Sequence, residues 1–481
     1  MSYSLQLAMT LPEIVLGLGA ILLMLVAAWG GQASTRVVSY AAVAVIAGAF
    51  IALFGPASAG GSAFDGLYRA DMFAAFSKAV IYAAAAVSIL IAPNFFQRTS
   101  GEDLRPEYPV LILLSTAGMG MMVSAGDLLT LYVGLELMSL ASYVLASFMR
   151  RDTRSAEAGL KYFILGALAS GMLLYGISLV YGFSGTTLFG GIADAYGEGR
   201  SLGLLIGLVF VFAGLAFKIS AVPLHMWTPD VYEGAPTPVT TFFASAPKMA
   251  AMAMAIRVAI EAMGPAIHDW RQIVVFAALA SILLGAFGAI GQKNIKRLLA
   301  YSSINNVGFA LIGLAAGTQA GVASVLFYMA VYVVMTIGCF LIVLQMRDAA
   351  GNQVEEIDAL SGMSQTRPGL AAAMAIFMFS LAGIPPLLGF FSKLEVFNAA
   401  VQADLLWLAS IGIVGSVPGA FYYLSIIKRM YFDKPAPKFE GRPGVIEGGL
   451  ITLSAVALSP LSWFGLTCLS AWTMLAAKSL F

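Results

Sequence analysis

Apolar blocks of about 18 or more residues recur along the whole chain, separated by short stretches rich in charge, proline or glycine. A helix of this length crosses roughly 30 Å of hydrocarbon. Of the 481 residues, 60% are hydrophobic and 11% are charged, whereas soluble domains carry about 25% charged residues. The sequence therefore predicts a polytopic membrane protein and excludes a water-soluble globular protein.

The apolar runs predict about fourteen transmembrane helices, two of them interrupted. We place them at about 10–30, 36–55, 72–93, 107–125, 127–148, 155–183, 201–232 (interrupted), 238–262, 271–291, 295–317, 320–346, 369–401 (interrupted), 404–431 and 447–475. A lipid-exposed segment must satisfy its own backbone hydrogen bonds, and the alternating strands of a barrel are missing from the sequence. We therefore expect an all-α fold.

The distribution of basic residues predicts the orientation of these helices. Sixteen basic residues fall in loops after odd-numbered spans: Arg36, Arg98, Arg105, Arg150, Arg151, Arg154, Lys293, Lys296, Arg297, Arg347, Arg367, Lys428, Arg429, Lys434, Lys438 and Arg442. Four fall in loops after even-numbered spans or at the C-terminal end: Arg69, Arg200, Arg271 and Lys478. Because cytoplasmic loops are enriched in Lys and Arg, we expect both termini outside the cytoplasm.

Charge and cysteine content exclude several other classes of site. The chain has 26 basic and 25 acidic residues, so its net charge gives no argument for a nucleic-acid partner. Cys339 and Cys468 lie far apart inside apolar blocks, which excludes a disulfide framework and a cysteine-rich metal or iron–sulfur site. No glycine-rich phosphate-binding fingerprint follows a strand. We predict no cofactor and no metal in this chain.

A few charged residues remain at membrane depth. Each costs about 2.5–3.5 kcal/mol at the centre of a span and is by default a candidate for a charge pathway. Five lie deep in their spans: Glu136, Lys218, Lys248, Lys393 and Glu395. Three lie nearer span ends, where they are either interface anchors or parts of the pathway: Lys78, Lys161 and Arg257.

Prolines interrupt two spans close to these lysines. Pro223 follows Lys218 by five residues, and Pro385 and Pro386 come just before Lys393. The two breaks lie five spans apart, which predicts two inverted five-helix repeats, in spans 4–8 and 9–13, each with a broken helix. The predicted organisation is a single membrane domain, 1–481. It divides into peripheral helices over 1–105, a first repeat over 106–264, a second repeat over 265–432 and a last helix over 433–481.

Four of the deep charges form a candidate chain for moving protons: Glu136, Lys218, Lys248 and Lys393. Burial in a dry site disfavours an ammonium, and a nearby carboxylate favours it again. A carboxylate that moves therefore switches a lysine between holding and releasing a proton, with hydroxyls and water bridging the gaps. The alternative is a structural ion pair, such as Glu136 with Lys218. His225, beside Trp227 in the broken seventh span, is either a proton relay or a packed structural residue.

Four motifs carry a family resemblance. They are KISAVPLHMWTPDVYEGAPTPVT at 218–240 followed by Lys248, LYVGLELMSLASYVL at 131–145, NIKRLLAYSSI at 294–304, and AGIPPLLGFFSKLEVF at 382–397. Together they resemble the antiporter-like subunits of bacterial NADH–quinone oxidoreductase (respiratory complex I). Within that family the chain is most similar to the subunit N branch, because a related branch carries glutamate where this chain has Lys393.

The resemblance implies roles for individual residues. Glu136 would be the key glutamate paired with Lys218, Lys248 the central lysine between two half-channels, and Lys393 the lysine on the exit side. Lys161 would be a further lysine of the sixth span. One residue departs from the pattern: Asn306 stands where the family often has histidine, and an amide could only orient water.

The resemblance also implies a setting. The chain would belong to a proton-translocating enzyme of the bacterial inner membrane, with both termini periplasmic. Its partners would be the other membrane-arm subunits, and electron transfer from NADH to quinone would use FMN and iron–sulfur clusters in partner subunits. Two alternatives stay open, an Mrp-type cation/proton antiporter and a non-pumping scaffold whose buried charges only brace the complex.

Overall fold

Helices form almost the whole of the computed structural model, which describes residues 2–99, 104–199 and 201–481, with position 464 described by its backbone alone. Arg200, one of the residues assigned above to outer loops, lies outside the described residues. The helices of the first half are α1 (Tyr3–Met9), α2 (Leu11–Gly30), α3 (Thr35–Ile51), α4 (Met72–Arg98), α5 (Glu107–Ser124), α6 (Leu128–Ala146), α7 (Thr153–Ser184), α8 (Phe189–Glu198), α9 (Leu202–Ile219), α10 (Trp227–Gly234), α11 (Thr237–Phe243) and α12 (Ala246–Arg257).

The second half continues the helical pattern. Its helices are α13 (Ile267–Ile290), α14 (Ile295–Ala316), α15 (Gln319–Val343), α16 (Met363–Thr366), α17 (Pro368–Ala382), α18 (Leu388–Gln402), α19 (Leu406–Phe432), α20 (Val445–Leu458) and α21 (Trp463–Lys478). A π-helical turn, Val258–Ala262, follows α12 directly. The strands β1 (Ser62–Ala63) and β2 (Tyr68–Arg69) pair as a small antiparallel hairpin before α4.

Eleven helical segments of the described chain are long and apolar enough to cross a membrane. The first of them, Leu11–Ile51, contains both α2 and α3. Shorter apolar helices, Pro368–Ala382 and Val445–Leu458, accompany them. The prediction of an all-helical, polytopic membrane protein is confirmed.

The predicted seventh span is broken between α9 and α10, where Ser220 has a left-handed φ of 63° and the peptide bond before Pro223 is cis. The predicted eighth span is broken as well, which the sequence analysis did not anticipate: α11 ends at Phe243 and α12 begins at Ala246. Pro247 has no N–H to donate to the carbonyl four residues earlier, so a continuous helix would lose a hydrogen bond there.

Two further breaks lie in the second half. α17 ends before Gly383, which has a φ of 81°, and the Pro385–Pro386 peptide bond is cis before α18 begins. The predicted span 447–475 divides into α20 and α21 around Pro460, which likewise lacks an N–H to continue the helix. A continuous fourteenth helix was therefore wrong.

The predicted connector at 184–200 contains α8. Phe189, Ile192 and Tyr196 are its buried residues, spaced three and four apart, so that one face of this short helix packs on the bundle. The sequence predicted only a connector between the spans 155–183 and 201–232 here, without a helix.

The centre of the bundle is formed by α11–α12, α14 and α15. In each of these three segments, 94% of the most apolar window is buried, against 33% for Leu11–Ile51 and 39% for α7 and α19. A helix that is buried on all sides within lipid can hold a polar side chain only if the neighbouring helices supply its hydrogen bonds. The polar groups of the central helices therefore depend on contacts made by the surrounding ones.

The turn between α17 and α18 leaves no room for a side chain at Gly389. A Cβ there would lie 1.8 Å from the backbone oxygen of Ser380. We expect Gly389→Ala to destabilise the protein by about 1–3 kcal/mol, the usual cost of overpacking, because backbone rather than a flexible side chain must move. Thermal denaturation of the solubilised protein measures this. Gly369→Ala is the control, since a Cβ at Gly369 meets nothing within 4 Å. Equal stability of the two variants would contradict the expectation.

Candidate proton pathway

Glu136 lies in the middle of α6 and is half-buried. Ser170 of α7 donates a hydrogen bond to the Glu136 carboxylate. Within the described ranges the carboxylate is not part of any ion pair, so a neutral hydroxyl is what holds it. Because Glu136 is only half-buried, its side chain also reaches the surface of the helix bundle.

Lys218 lies in the last turn of α9 and is 5% exposed. Its ammonium donates to Ser139 Oγ at 2.6 Å, and Ser139 follows Glu136 by three residues on the same face of α6. The ammonium also lies 5.7 Å from the ring centroid of Tyr143. In the part of the chain that the structure describes, Lys218 and Glu136 are not in direct ion-pair contact, although the carboxylate still acts on the lysine through space. The structural ion pair between Glu136 and Lys218 is therefore not formed.

Lys248, in the first turn of α12, is 1% exposed. Its ammonium donates to the backbone oxygen of Ile219 at 3.0 Å and to Ser220 Oγ, and the Ser220 hydroxyl accepts from Thr228 Oγ1 at 2.6 Å. Ile219 is the last residue of α9, so the lysine meets the negative end of that helix. The indole ring of Trp227 is 5.5 Å from the ammonium. The break in the seventh span thus frees the oxygens of Ile219 and Ser220 to bind a lysine of the eighth predicted span.

Lys393 of α18 repeats this arrangement. It is 8% exposed, and its ammonium donates to the backbone oxygens of Leu381 and Ala382 at 3.0 and 3.1 Å. These are the last two residues of α17. The ring of Phe309 lies 4.6 Å from the ammonium. Each of the two predicted interrupted spans therefore has its first half capped by a lysine ammonium.

A cluster of buried hydroxyl and amide groups lies on α14, which also carries Phe309. Asn306 accepts a hydrogen bond from Tyr328 at 2.7 Å and donates to Tyr423 at 3.1 Å, and the hydroxyls of Ser302 and Tyr423 are 2.5 Å apart. Ser303, the residue after Ser302, accepts a hydrogen bond from the Tyr332 hydroxyl at 2.8 Å. We call Ser302, Ser303, Asn306, Tyr328, Tyr332 and Tyr423 the α14 cluster. Its members are hydrogen-bonded to one another across α14, α15 and α19.

His225 lies in the turn between α9 and α10 and is half-buried. Its Nδ1 is buried and has no hydrogen-bond partner among the described residues. Pro223 beside it is exposed, as are Pro385 and Pro386 at the other break.

Lys161 lies apart from the buried lysines. Its side chain is 42% exposed and forms ion pairs with Glu157 at 2.7 Å and Asp230 at 2.8 Å. Asp230 belongs to a larger network of charges that joins α7, α10, α14 and the loop after α15. We call it the loop-face network; it consists of Arg154, Glu157, Lys161, Asp230, Glu233, Asn294, Lys296, Arg297 and Glu355.

The pKa of Glu355 shows that this network stabilises its charged groups. Burial raises the pKa of the Glu355 carboxyl, but the Lys296 ammonium at 2.9 Å and the Asn294 amide outweigh burial and hold the pKa below its usual value. Glu355 therefore contributes stability above the pKa of the unfolded chain. That contribution is lost as the pH falls through the lower pKa of the folded state. A cavity of about 730 Å³ adjoins this carboxylate.

Two basic residues near span ends are not interface anchors. Lys78 is 1% exposed and Arg257 is fully buried, and both form ion pairs, with Glu13 and Asp71 respectively. Glu395, expected to be embedded, lies on an exposed face of α18. Distance from a span end does not decide burial, because the packing of neighbouring helices determines which side chains reach the headgroups.

The neutral partners of the charges were not predicted from the sequence. Ser139 and Ser170 lie inside apolar spans, and Ser220 lies at a break. The sequence signal that could have identified Ser139 is its hydroxyl, which lies one helical turn from the charge of Glu136. Groups of three or more His, Cys, Asp or Glu that could hold a metal ion are not found in residues 2–99, 104–199 and 201–481.

Comparison with known proteins identifies the family. A family model described as NADH:quinone oxidoreductase/Mrp antiporter, TM, matches residues 125–418. NADH-quinone oxidoreductase subunit N of Rhizorhabdus wittichii is 67% identical over 482 residues, covering 100% of both chains. The protein of the same name from Sphingopyxis alaskensis is 60% identical over 99% of both chains.

Solved structures agree with this result. A chain of respiratory complex I from Thermus thermophilus is 30% identical, with a TM-score of 0.80 over 93% of this chain and 96% of that one. A chain of the Mrp complex from Dietzia sp. DQ12-45-1b has a TM-score of 0.85 over 98% and 97% at 22% identity, a likeness of fold alone. The predicted relationship is therefore confirmed, and the chain belongs to the NADH-quinone oxidoreductase subunit N family.

Proposed function

We propose that this chain is an antiporter-like membrane-arm subunit of a proton-pumping NADH–quinone oxidoreductase and moves protons through Glu136, Lys218, Lys248 and Lys393. The observation that carries the proposal is the state of the three lysines. Each is at most 8% exposed, and in the described part of the chain each ammonium is held by neutral oxygens instead of a carboxylate. Electron transfer, with FMN and iron–sulfur clusters, belongs to partner subunits in this proposal.

Neutral partners suit a group that must gain and lose a proton. An ammonium bound by carbonyl and hydroxyl oxygens can become an amine without leaving a buried carboxylate unpaired, which would cost several kcal/mol. The Glu136 carboxylate acts on Lys218 through space, so a change in their separation shifts the balance between the ammonium and the amine.

The route from Lys248 to Lys393 would pass the α14 cluster. α14 packs against both α10 and α18, and Phe309 of α14 contacts the Lys393 ammonium. Asn306 does not titrate in the physiological range, so it would orient water and tyrosine hydroxyls rather than hold a proton itself. His225 is a second candidate relay, and Lys161 would stand at the loop-face end, where solvent reaches the chain.

We also propose the finer architecture. Counting α2 and α3 separately, and α17–α18 and α20–α21 as one broken span each, brings the candidate spans to about fourteen. Residues 106–264 and 265–432 would form two inverted repeats, with 1–105 and 433–481 around them. Two half-helices that each end in a lysine-bound carbonyl support this symmetry. The basic loops favour periplasmic termini in a bacterial inner membrane.

Replacing Glu136 with glutamine tests the proposed function. The variant keeps the hydrogen bond from Ser170 and removes the charge that acts on Lys218. We expect a complex that assembles but pumps protons about tenfold more slowly per NADH oxidised, as for loss of a positioned proton-transfer group. Fluorescence quenching of a pH dye in inverted membrane vesicles measures pumping. Glu395→Gln, at an exposed position of α18, is the control and should pump normally. An assembled E136Q variant with normal pumping would contradict the proposal.

The fold likeness to an Mrp chain makes a stand-alone antiporter the second candidate. The proposed function expects the solubilised chain to purify with a flavin- and iron–sulfur-containing NADH dehydrogenase. Purification without a redox assembly, together with sodium-dependent proton exchange, would favour the antiporter instead. A scaffold role would leave pumping unchanged in all assembled charge variants.

A further inference from the structure

Three side chains from the first helices form a closed, buried triangle. The Lys78 ammonium lies 2.5 Å from Glu13 Oε1 and donates to the Tyr68 hydroxyl at 2.8 Å, and that hydroxyl donates to Glu13 Oε2 at 2.7 Å. Glu13 is in the first turn of α2, Lys78 is in the second turn of α4, and Tyr68 lies in β2 just before α4. We call these three residues the Glu13 triad. The Lys78 side chain is 1% exposed and that of Glu13 is 11% exposed.

The charges next to the triad are already balanced by other partners. Asp71 accepts two hydrogen bonds from the guanidinium of Arg257, both at 2.8 Å, and Glu261 binds the same guanidinium. Asp71 also caps α4 by accepting from the amide of Ala74 at 2.7 Å. Among the described residues, Glu13 forms an ion pair with Lys78 and with no other cation, so its charge can change without leaving Arg257 unpaired.

Hydroxyls with spare hydrogen-bonding capacity surround the triad. Tyr82 lies one turn beyond Lys78 on the same face of α4, is fully buried, and has no hydrogen-bond partner within the described residues. Its hydroxyl is close enough to Glu13 for the carboxylate to act on it. Ser124, also fully buried, lies beside the Tyr68 hydroxyl. Buried polar groups of this kind are the partners that ordered water requires.

We propose that the Glu13 triad is a second proton-carrying site, separate from Glu136 and the three lysines. The Nζ–H bond of Lys78 breaks as the Tyr68 oxygen accepts that proton, and Tyr68 donates its own proton to Glu13 Oε2, so that an O–H bond forms on Glu13. A neutral amine and a neutral carboxylic acid result. Glu13, the more exposed of the two, then releases the proton to water at the face where α2 and α4 begin. A proton arriving through water beside Tyr82 restores the ammonium, so one proton crosses the triad and all charges return to their starting values.

This proposal rests on the proposed function, because the protons delivered to Lys78 are those that the subunit translocates. It changes the role of residues 1–105, which the sequence analysis assigned to peripheral helices. A buried ion pair that only braces two helices can be replaced by neutral side chains of similar size without loss, and often with a gain in stability. A proton-carrying pair cannot be replaced in this way.

The double variant Glu13→Gln/Lys78→Met separates these roles in the assembled complex. It removes both charges together, so that no unpaired charge remains buried. We expect normal assembly and a more than about tenfold lower ratio of protons pumped to NADH oxidised. Glu107→Gln is the matched control, since Glu107 also lies in the first turn of a spanning helix but is exposed. An assembled double variant that pumps like the control overturns the proposal.

Tyr68→Phe provides an independent test that keeps both charges, and it decides the matter if the double variant fails to assemble. We expect slower pumping with a steeper loss at high pH, because the hydroxyl that links lysine and carboxylate is gone. Wild-type pumping at every pH in an assembled Y68F complex also overturns the proposal. The E136Q variant, measured in parallel, distinguishes failure of the proposed function from failure of the Glu13 triad. Normal pumping by E136Q contradicts the proposed function. Slower pumping by E136Q, with normal pumping by the triad variants, refutes only the Glu13 triad.

Discussion

Replacing Lys248 with methionine is expected to lower proton pumping more than about tenfold in an assembled complex, because the central proton-binding amine is removed. Methionine is unbranched and adaptable and fills the space of the lysine side chain. The oxygens of Ile219 and Ser220 lose their donor, which adds a stability cost of about 1–3 kcal/mol. Dye quenching in inverted vesicles, normalised to the amount of assembled complex, measures the change.

An arginine at the same position separates proton transfer from helix capping. Arginine keeps a positive charge beside the end of α9 but does not release its proton in proteins. If Lys248 carries protons, Lys248→Arg stays inactive in pumping although the helix end is still bound. If Lys248 only caps α9, arginine restores pumping. Met249→Leu is the control, because Met249 is fully buried next to Lys248 and the exchange nearly conserves volume. Normal pumping by assembled K248M and K248R variants would exclude this lysine from the pathway.

Replacing Arg257 with methionine is expected to cause the largest loss of stability, about 3–5 kcal/mol, since breaking a buried pair strands its partner charges. Arg257 is fully buried and binds Asp71, Glu261 and the backbone oxygen of Val123. Its loss would leave the buried Asp71 without the cation it pairs with, and Glu261 with the more distant Arg69 at 3.8 Å. The midpoint of heat denaturation of the solubilised complex, followed by release of this subunit, measures the effect.

Two further variants show whether the stranded charge is the cause. Asp71→Asn added to Arg257→Met should recover part of the loss, because asparagine keeps an oxygen to cap α4 and removes one charge. Arg429→Gln is the control. Its pair with Asp358 is largely exposed, and pairs of that kind contribute about 0–1 kcal/mol. A stability of R257M equal to that of R429Q would show that the buried network does not stabilise the fold.

The sequence was most informative where one residue decides the local structure. Pro223 and Pro386 lack the N–H that would continue a helix, and the helices end before both, although Pro93 and Pro418 lie inside unbroken helices. Long apolar runs predicted the spans, since lipid leaves the backbone few alternatives. Pro247 and Pro460 also lack this N–H and also interrupt predicted spans. Unbroken helices were predicted there because apolar residues flank both prolines.

The contacts of the candidate site could not be predicted because they depend on tertiary packing. Lys218 reaches Ser139 instead of Glu136, although opposite charges on neighbouring spans suggested a direct pair. Lys248 binds an oxygen 29 positions earlier, which becomes available only because α9 ends there. Lys78 and Arg257 were placed by their distance from span ends. Their burial depends on α2, α4 and α12 packing together, and no periodicity in a single span contains that information.

The capping of two half-helices by lysines has a consequence for ion selectivity. When such a lysine has lost its proton, its site contains carbonyl dipoles and an amine and has no net charge. A lysine that lost its proton in an ion pair would instead leave a carboxylate without a partner. A proton becomes covalently attached to nitrogen, and the neighbouring oxygens accept hydrogen bonds from the ammonium that results. A sodium ion would have to exchange its water for two neutral protein oxygens and a competing amine. We therefore expect the sites occupied by Lys248 and Lys393 to take up a proton in preference to a metal cation of the same charge.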